Sequence, residues 1–307
     1  MAYRIKRKDS SARASLRRIA RAQVIAALRS IDTAGSDVGA AIHDVRKRCK
    51  KIRGLLRLVR PAFDDYHAEN AAFRDIAATL GPMRDAEVLI AAFDHVAASI
   101  GRDECAAFEP IREQLCARRA RLADEQDPRL LLRDARAPLQ AALQRIQGWK
   151  LAGKHFDAFE AGLESGYRRG RKVMRAACRD GDDDTFHAWR KRCKDHGFHL
   201  RLLGPIWPGP MGAERDCADE LGELLGLHHD LAVLAVHVGG MDPADFGMAD
   251  AFIAHLRTRQ HALAQRAGAL GARLYALPPT ALAKSWRRRH RAWRQQRDAR
   301  PPAAAAH

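Results

Sequence analysis

The sequence predicts an all-α fold, and three observations carry this prediction. Apolar residues recur three and four positions apart along most of the 307 residues, which is the spacing of amphipathic helices. Segments with strict apolar-polar alternation, typical of strands, are hard to find. The best strand candidate, residues 233–238 (VLAVHV), continues a helical pattern that begins at Leu221, so we assign it to a helix.

Residues that begin and end helices divide this pattern into segments. Helix starts are expected at Asp37, Pro82, Pro128 and Asp184. Helix ends are expected at Pro61, Gly101, Gly148 and Gly204-Pro205. A connection rich in glycine and polar groups, residues 147–155, divides the chain near its middle. Near the C-terminus, KSWRRRHRAWRQQR is expected to form a basic helix or arm.

Composition limits the class of partner more than the reaction. Hydrophobic residues make up 47% of the chain, enough for one large core or two smaller ones, and the net charge is +17. This excess of positive charge favours a polyanion: nucleic acid, a phosphate polymer or an anionic membrane surface. The first thirty residues are basic and contain no long apolar stretch, so we expect a cytoplasmic location. The six cysteines show no paired metal-site spacing and are expected to be reduced and buried.

Two segments of the sequence recur in the same order. Residues 43–50 (HDVRKRCK) return as 187–194 (HAWRKRCK), with six of eight positions identical. Residues 80–89 (LGPMRDAEVL) return as 225–234 (LGLHHDLAVL). The offsets are 144 and 145 residues, so the repeat predicts two similar helical halves, related by an approximate twofold axis and sharing one site.

The first repeated segment places cations along one side of a helix and apolar residues along the other. In the first copy the polar side carries His43, Arg46, Lys47, Lys50 and Arg57. In the second copy it carries His187, Arg190, Lys191, Lys194 and Arg201. From His43 to Arg57 the row is about 21 Å long, which suits several phosphates of a linear polymer.

Like charges this close repel one another, so the rows make most sense if an anion normally neutralises them. The alternative is a solvated helix face, the usual fate of a charged segment. A histidine beside phosphates would be driven towards its charged form, so His43 and His187 are candidates for a pH-dependent affinity. The alternative for each histidine is a role in helix capping or core packing.

With HDVRKRCKKIRGLLRLVRP, its copy HAWRKRCKDHGFHLRLLGP and the two LG-containing segments, the chain resembles the CHAD family, the conserved histidine α-helical domain. The resemblance implies one domain over residues 1–295, made of two pseudo-symmetric helical bundles (10–146 and 155–295) around a central basic cavity. Residues 296–307 are expected to form a disordered tail. The family also implies binding of inorganic polyphosphate and association with polyphosphate granules. The high content of alanine and arginine suggests a bacterial genome rich in GC.

Carried over by position, the resemblance assigns polyphosphate binding to both rows of cations. Basic residues of the helices that flank the cavity in the family are added to this set: Arg17, Arg21, Arg168, Lys172 and Arg175. The pairs Arg84-Asp85 and His229-Asp230 are interpreted as structural, because an acid can orient a neighbouring arginine or histidine. No catalytic residue, cofactor or metal site is expected, and no membrane partner.

Two other functions are also compatible with the sequence. A nucleic-acid-binding protein, with RNA as its target, would use Trp286 and Trp293 to stack on bases, although seven-residue spacing also fits a packed helix. A metal-dependent phosphohydrolase would use His43-Asp44 and the His228-His229-Asp230 segment as ligands. The neighbouring cations and the replacement of Asp44 by Ala188 in the repeat argue against a metal site. The sequence therefore favours a binding protein over an enzyme.

Overall fold

The computed structural model describes residues 3–125, 127–241 and 248–296, except the side chains of residues 82–84 and 102–103. The described residues form α-helices and two short 3-10 turns, with no β-strand among them, which confirms the predicted fold class. The first half contains α1 (Ala12–Asp32), α2 (Val38–Val59), α3 (Tyr66–Thr79), α4 (Gly81–Ala97), α5 (Arg102–Ala106), α6 (Glu109–Glu125), α7 (Pro128–Asp134) and α8 (Arg136–Gly148). The second half contains α9 (Asp157–Asp180), α10 (Asp183–Leu203), α11 (Pro208–Gly239), α12 (Ala249–Leu274) and α13 (Pro279–Gln295).

Side-chain caps explain where the two repeated helices begin. Asp37 accepts a hydrogen bond from the backbone N–H of Ala40 at the start of α2. Asp182 does the same for Thr185, so α10 begins before the predicted Asp184. Most other predicted boundaries are confirmed within two residues, at Pro61, Pro82, Pro128, Gly148 and Gly204. Gly101 is the exception, because α4 ends earlier and this glycine precedes α5.

Each half packs its helices around a shared apolar interior. In the first half α2 packs between α1 and α3, and α1 also contacts α8. In the second half α10 packs between α9 and α11, while α12 covers α11 and α13 covers α9. The halves meet where α2 contacts α9 and α10 and where α4 contacts α11. Helix α2 therefore packs against helices of both halves.

Close backbone approach fixes α2 against the second half. A Cβ atom on Gly162 of α9 would lie 1.8 Å from the carbonyl oxygen of Leu58, so only glycine fits there. The ring of Phe198 on α10 occupies the space over Gly54, 2.7 Å from where a Cβ would be. These contacts hold the C-terminal half of α2 against α9 and α10 and set the position of the polar N-terminal halves of α2 and α10.

Helix α11 contains the VLAVHV segment, which confirms its assignment to a helix. Among the described residues it is the one helix whose length and composition would allow it to cross a membrane. Sixty-one per cent of its apolar window is buried inside the fold, as in a core helix.

All six cysteines are free, but Cys178 is exposed and only Cys49 and Cys193 are fully buried. The expectation of six buried thiols is therefore wrong, since Cys178 lies near the end of α9 on a solvent-exposed face.

The basic C-terminal segment forms α13, as predicted. The predicted tail, apart from Gln296, lies outside the described residues. Trp286 is only 1% exposed and Trp293 packs against the core, so α13 uses these rings to dock on the second half. Trp286 is therefore not available to stack on bases.

Candidate functional site

The structure brings the N-terminal parts of the two cation rows together. Lys50 on α2 is close enough to Arg190 and Lys194 on α10 for their charges to lower its pKa. Lys191 is likewise close to His187 one turn earlier on α10. Charge interactions join Arg46 and Lys50 of α2 with Arg190 and Lys194 of α10. We call these four residues, together with the other members of the same helix segments, the cationic cluster: His43, Arg46, Lys47, Lys50, His187, Arg190, Lys191 and Lys194. Cations of α2 and α10, which lie far apart in the sequence, thus come close together around Lys50.

Lys50 shows how unfavourable this surface is without an anion. Its side chain reaches water, but the surrounding helices displace much of its hydration. This loss of solvation, followed by repulsion from Arg46 and Arg190, lowers the pKa of Lys50 to about 8. Burial and the charge of Arg190 lower the pKa of Lys194 as well. A bound anion would reverse both effects.

Glycines of α11 form the floor on which the second row lies. A Cβ atom on Gly226 would be 3.6 Å from Nε of Arg190, and one on Gly222 would be 3.1 Å from Nζ of Lys194. Because these glycines are four positions apart, they lie on the same face of α11. The missing side chains leave room for the arginine and the lysine to extend along the helix.

The first row has the same relationship with α4. A Cβ atom on Gly81 would lie 3.0 Å from Nη1 of Arg46. Arg46 donates to the carbonyl oxygen of Ala77 at 2.9 Å and lies 3.7 Å from the carboxylate of Asp85. The Arg84 side chain lies outside the described part of the chain. Gly81 and Gly226 are matched positions of the second repeat, and Arg46 and Arg190 are matched positions of the first. Each repeat therefore supplies one partner of the same contact.

A pair of imidazoles lies at one end of the cluster. The rings of His187 and His229 are stacked, with centroids 3.8 Å apart and planes 24° from parallel. Burial, then the charges of His187 and Arg190, lower the pKa of His229 to about 4. The pKa of His187 is also lowered, first by burial and then by Lys191 and Arg190. The lowered pKa values favour the neutral form of both rings at pH 7. His43, the matched histidine of the first row, is exposed on α2.

The arginines that end the two rows are held in ion pairs. Nη1 of Arg57 donates to Oδ1 of Asp195 at 2.6 Å, across the contact between the halves. Nη2 of Arg201 donates to Oδ1 of Asp219 at 2.5 Å. Without these two arginines, the rest of each row, from His43 to Lys50 and from His187 to Lys194, is about 10 Å long, roughly half of the predicted length.

The five additional basic residues lie outside the cluster. Nε of Arg17 donates to the carbonyl oxygen of Trp149 at 2.8 Å, where it ties α1 to the loop after α8. Arg21 is exposed on the side of α1 opposite its buried face. The other three are exposed on the side of α9 that faces away from α10, and they are Arg168, Lys172 and Arg175. The structure does not bring these residues together with the cluster.

The residues considered as metal ligands point in different directions. Oδ2 of Asp44 accepts hydrogen bonds from Ser30 and Arg48. His228 stacks on Phe186 in the core, while His229 stacks on His187. No group of three or more His, Cys, Asp or Glu residues in the described part of the chain is arranged to hold a metal ion.

Sequence reasoning missed the three glycines and underestimated His229. The repeated Leu-Gly dipeptide was a usable signal, because a helix interior tolerates glycine poorly without a packing reason. The sequence also contained no indication of Lys51. This lysine is close to Lys47 and Arg201, and its pKa is lowered mainly by burial. Lys51 lines a groove of about 700 Å³ between α1, α2, α10 and α11. Because no pattern in the sequence predicts that these four helices lie side by side, the groove and the position of Lys51 could not be predicted.

Comparison with known proteins supports the resemblance seen in the sequence. The model of the CHAD domain matches residues 12–239, from the first residue of α1 to the last of α11. The match contains both copies of each repeat, while α12 and α13 lie outside it. Comparison with curated proteins finds no match. Because the CHAD domain match covers well over half of the chain, the protein belongs to the CHAD domain family.

Proposed function

We propose that this protein binds inorganic polyphosphate at the cationic cluster between α2 and α10. We further propose that it does so in the cytoplasm, on polyphosphate granules that it helps to target or organise. Membership of the CHAD domain family is consistent with a polyphosphate-related function. The protein acts as a binding module in this proposal, with no catalytic residue.

The position of Lys50 among Arg46, Arg190 and Lys194 is the observation that carries the proposal. Four cations from two distant segments lie together, and among the described carboxylates only Asp85 is close enough to one of them to form an ion pair. Such an arrangement lowers stability unless an anion binds. A polymer with a charge on every phosphate neutralises several cations at once and releases the counterions of both surfaces.

RNA is the second candidate because its backbone carries the same kind of charge. Single-stranded nucleic acid also needs aromatic platforms for its bases. The aromatic rings closest in sequence to the α10 row, Phe186 and Trp189, are buried in the core. Trp207 is exposed, but the guanidinium of Arg289 covers its ring at 4.2 Å. The described surface thus favours a polymer without bases.

Calorimetric titration of long-chain polyphosphate tests the proposal directly. The wild type is compared with a variant in which Arg46, Lys47, Arg190 and Lys191 are changed to Glu, at two salt concentrations and with RNA as competitor. We expect tight binding by the wild type that weakens steeply with salt, since counterion release supplies most of the affinity. Polyphosphate binding should be lost in the variant. Binding by the wild type should resist competition by RNA.

A matched control separates the cluster from net charge. Four exposed arginines outside the cluster, Arg121, Arg129, Arg133 and Arg266, are changed to Glu in the control variant. It should keep most of the wild-type affinity. Equal losses in both variants would mean that binding follows total charge. If the cluster variant binds polyphosphate as tightly as the wild type does, the binding site lies elsewhere. Release of phosphate from the polymer would support the alternative of a metal-dependent phosphohydrolase.

A further inference from the structure

Helix α13 carries a second row of cations that the cluster does not use. Lys284, Arg288 and Arg291 are exposed and lie opposite Trp286 and His290, which are buried against the second half. None of the three forms an ion pair with a described carboxylate. Spaced by four and three positions, they form one straight line along the helix.

The outer face of α9 continues this line of charge. Arg168, Lys172 and Arg175 are exposed and repeat with the same spacing of four and three residues. Lys172 and Arg175 have no carboxylate partner among the described residues, and Arg168 is paired with Glu164 one turn earlier. The exposed row of α9 is therefore also positive on balance.

Polar contacts show that the two rows follow one another along the pair of helices. Arg287 of α13 is paired with Asp157 and Glu160 in the first turn of α9. Oγ1 of Thr280, at the start of α13, donates to Glu164 of α9. The two helices are thus antiparallel neighbours, and these acids are already neutralised by arginines. The row of α13 lies level with the first turn of α9, and the row of α9 begins one turn beyond Glu164, so together they form a longer line of exposed cations.

This outer surface is separate from the cationic cluster. The buried face of α9 packs on α10 and α2, while its cation row points to the other side. A helix with its side chains is about 10 Å across, so α9 stands between the two surfaces. Furthermore, α13 lies beyond residues 12–239 that match the CHAD domain, so the family match does not account for its row.

We propose that Lys284, Arg288 and Arg291, together with Arg168, Lys172 and Arg175, form a second polyphosphate-binding surface. This inference rests on the proposed function of the cluster, because it assigns the same polymer to another face of the molecule. One protein molecule then binds two strands, or two segments of one strand, on opposite sides of α9. Two sites on a rigid body make the protein a cross-linker of long polymers.

Light scattering after mixing with long-chain polyphosphate measures this cross-linking. The outer variant has Lys284→Gln, Arg288→Gln and Arg291→Gln, and a second one has Arg168→Gln, Lys172→Gln and Arg175→Gln. The control has Arg121→Gln, Arg129→Gln and Arg133→Gln, which removes the same charge from α6 and α7. Glutamine keeps the helix propensity of each position, and circular dichroism checks the fold.

We expect the outer variants to scatter at least about fivefold less than the wild type, because one of two linked sites is lost. Their calorimetric affinity for a short polyphosphate at the cluster should stay within about twofold, and the control should scatter like the wild type. Equal scattering by the outer variants and the control overturns the inference. A further outcome is that RNA or vesicles with anionic lipid cause the wild type to scatter while polyphosphate does not. That result assigns the outer face to another partner and also overturns the inference.

The two proposals fail in different ways. A wild type that binds polyphosphate at the cluster with no scattering contradicts the second surface alone. A wild type that does not bind polyphosphate in the calorimeter contradicts the proposed function itself.

Discussion

The guanidinium of Arg190 lies along α11 over Gly226, where a Cβ atom would be 3.6 Å from its Nε atom. The contact is ordinary van der Waals distance, so a methyl group fits while a longer side chain would occupy the place of the arginine. The glycine is therefore the floor of the cationic cluster in the second half, as Gly81 is in the first. Substitutions of different size at Gly226 therefore test whether the space that this glycine leaves for Arg190 matters for binding, without changing the charge of the arginine.

We expect Gly226→Ala to keep polyphosphate affinity and to raise the free energy of unfolding by up to about 1 kcal/mol, because alanine favours the helix. Gly226→Leu should displace Arg190 and lower the affinity by about tenfold, in the range of one lost charge-assisted contact. Calorimetry and denaturant unfolding of both variants give the two quantities. A leucine variant with full affinity would contradict a role for this floor.

Lys50 should make binding sensitive to alkaline pH. Its pKa is about 8 in the free protein, and a bound polyanion raises it, so binding above pH 8 requires uptake of a proton. The affinity of the wild type should fall between pH 8 and 9.5, by up to about tenfold per pH unit. Lys50→Arg keeps the charge without titrating in this range and should remove most of this dependence. If the arginine variant shows the same pH profile, another group is responsible.

Asp195 should stabilise the contact between the halves. Its side chain is 9% exposed and is paired with Arg57, which is 18% exposed. Asp195→Ala leaves Arg57 and Arg192 without their counter-charge, and we expect a loss of about 3 to 5 kcal/mol in unfolding free energy. Asp219→Ala breaks the more exposed pair with Arg201 and should cost less than about 1 kcal/mol. Denaturant titration compares the two, and equal losses would argue against burial as the cause.

His196 should make the fold sensitive to acid. Burial lowers its pKa from the ordinary 6.5 to about 4, and its ring contacts Tyr167, Tyr275 and Trp286. Its contribution is complete above pH 6.5 and is lost as the pH falls towards 4, because the unfolded state takes up the proton first. The loss is about 3 kcal/mol from this residue.

The variant His196→Phe keeps an aromatic ring in this place and removes the titration. We expect its unfolding free energy to equal that of the wild type at pH 7 within about 1 kcal/mol and to fall less between pH 6.5 and 4.5. His199, whose pKa is lowered to about 3 by burial, still contributes to acid unfolding in the variant. Parallel pH curves for variant and wild type would contradict the assignment.

The sequence predicted the helical class and the repeated rows because both follow from local spacing. His187, Arg190, Lys191 and Lys194 lie on one face of α10 as the pattern required. Sequence spacing could not tell which cations find a carboxylate, since Asp195 and Asp219 reach Arg57 and Arg201 only through tertiary packing. It also assigned Arg168 and Lys172 to the cavity, because a resemblance transfers a position but does not give the direction of its side chain.

The pair between Arg57 and Asp195 also affects how the protein is made. The arginine is synthesised 138 residues before its partner. At ordinary rates of translation this leaves the first half waiting for roughly ten to thirty seconds. During that time the face of α2 around Gly54 has no covering helix, and Arg57 lacks the carboxylate with which it pairs in the folded protein. The nascent first half is therefore expected to need protection by a chaperone, and the two halves of a split gene should yield folded protein only when they are expressed together.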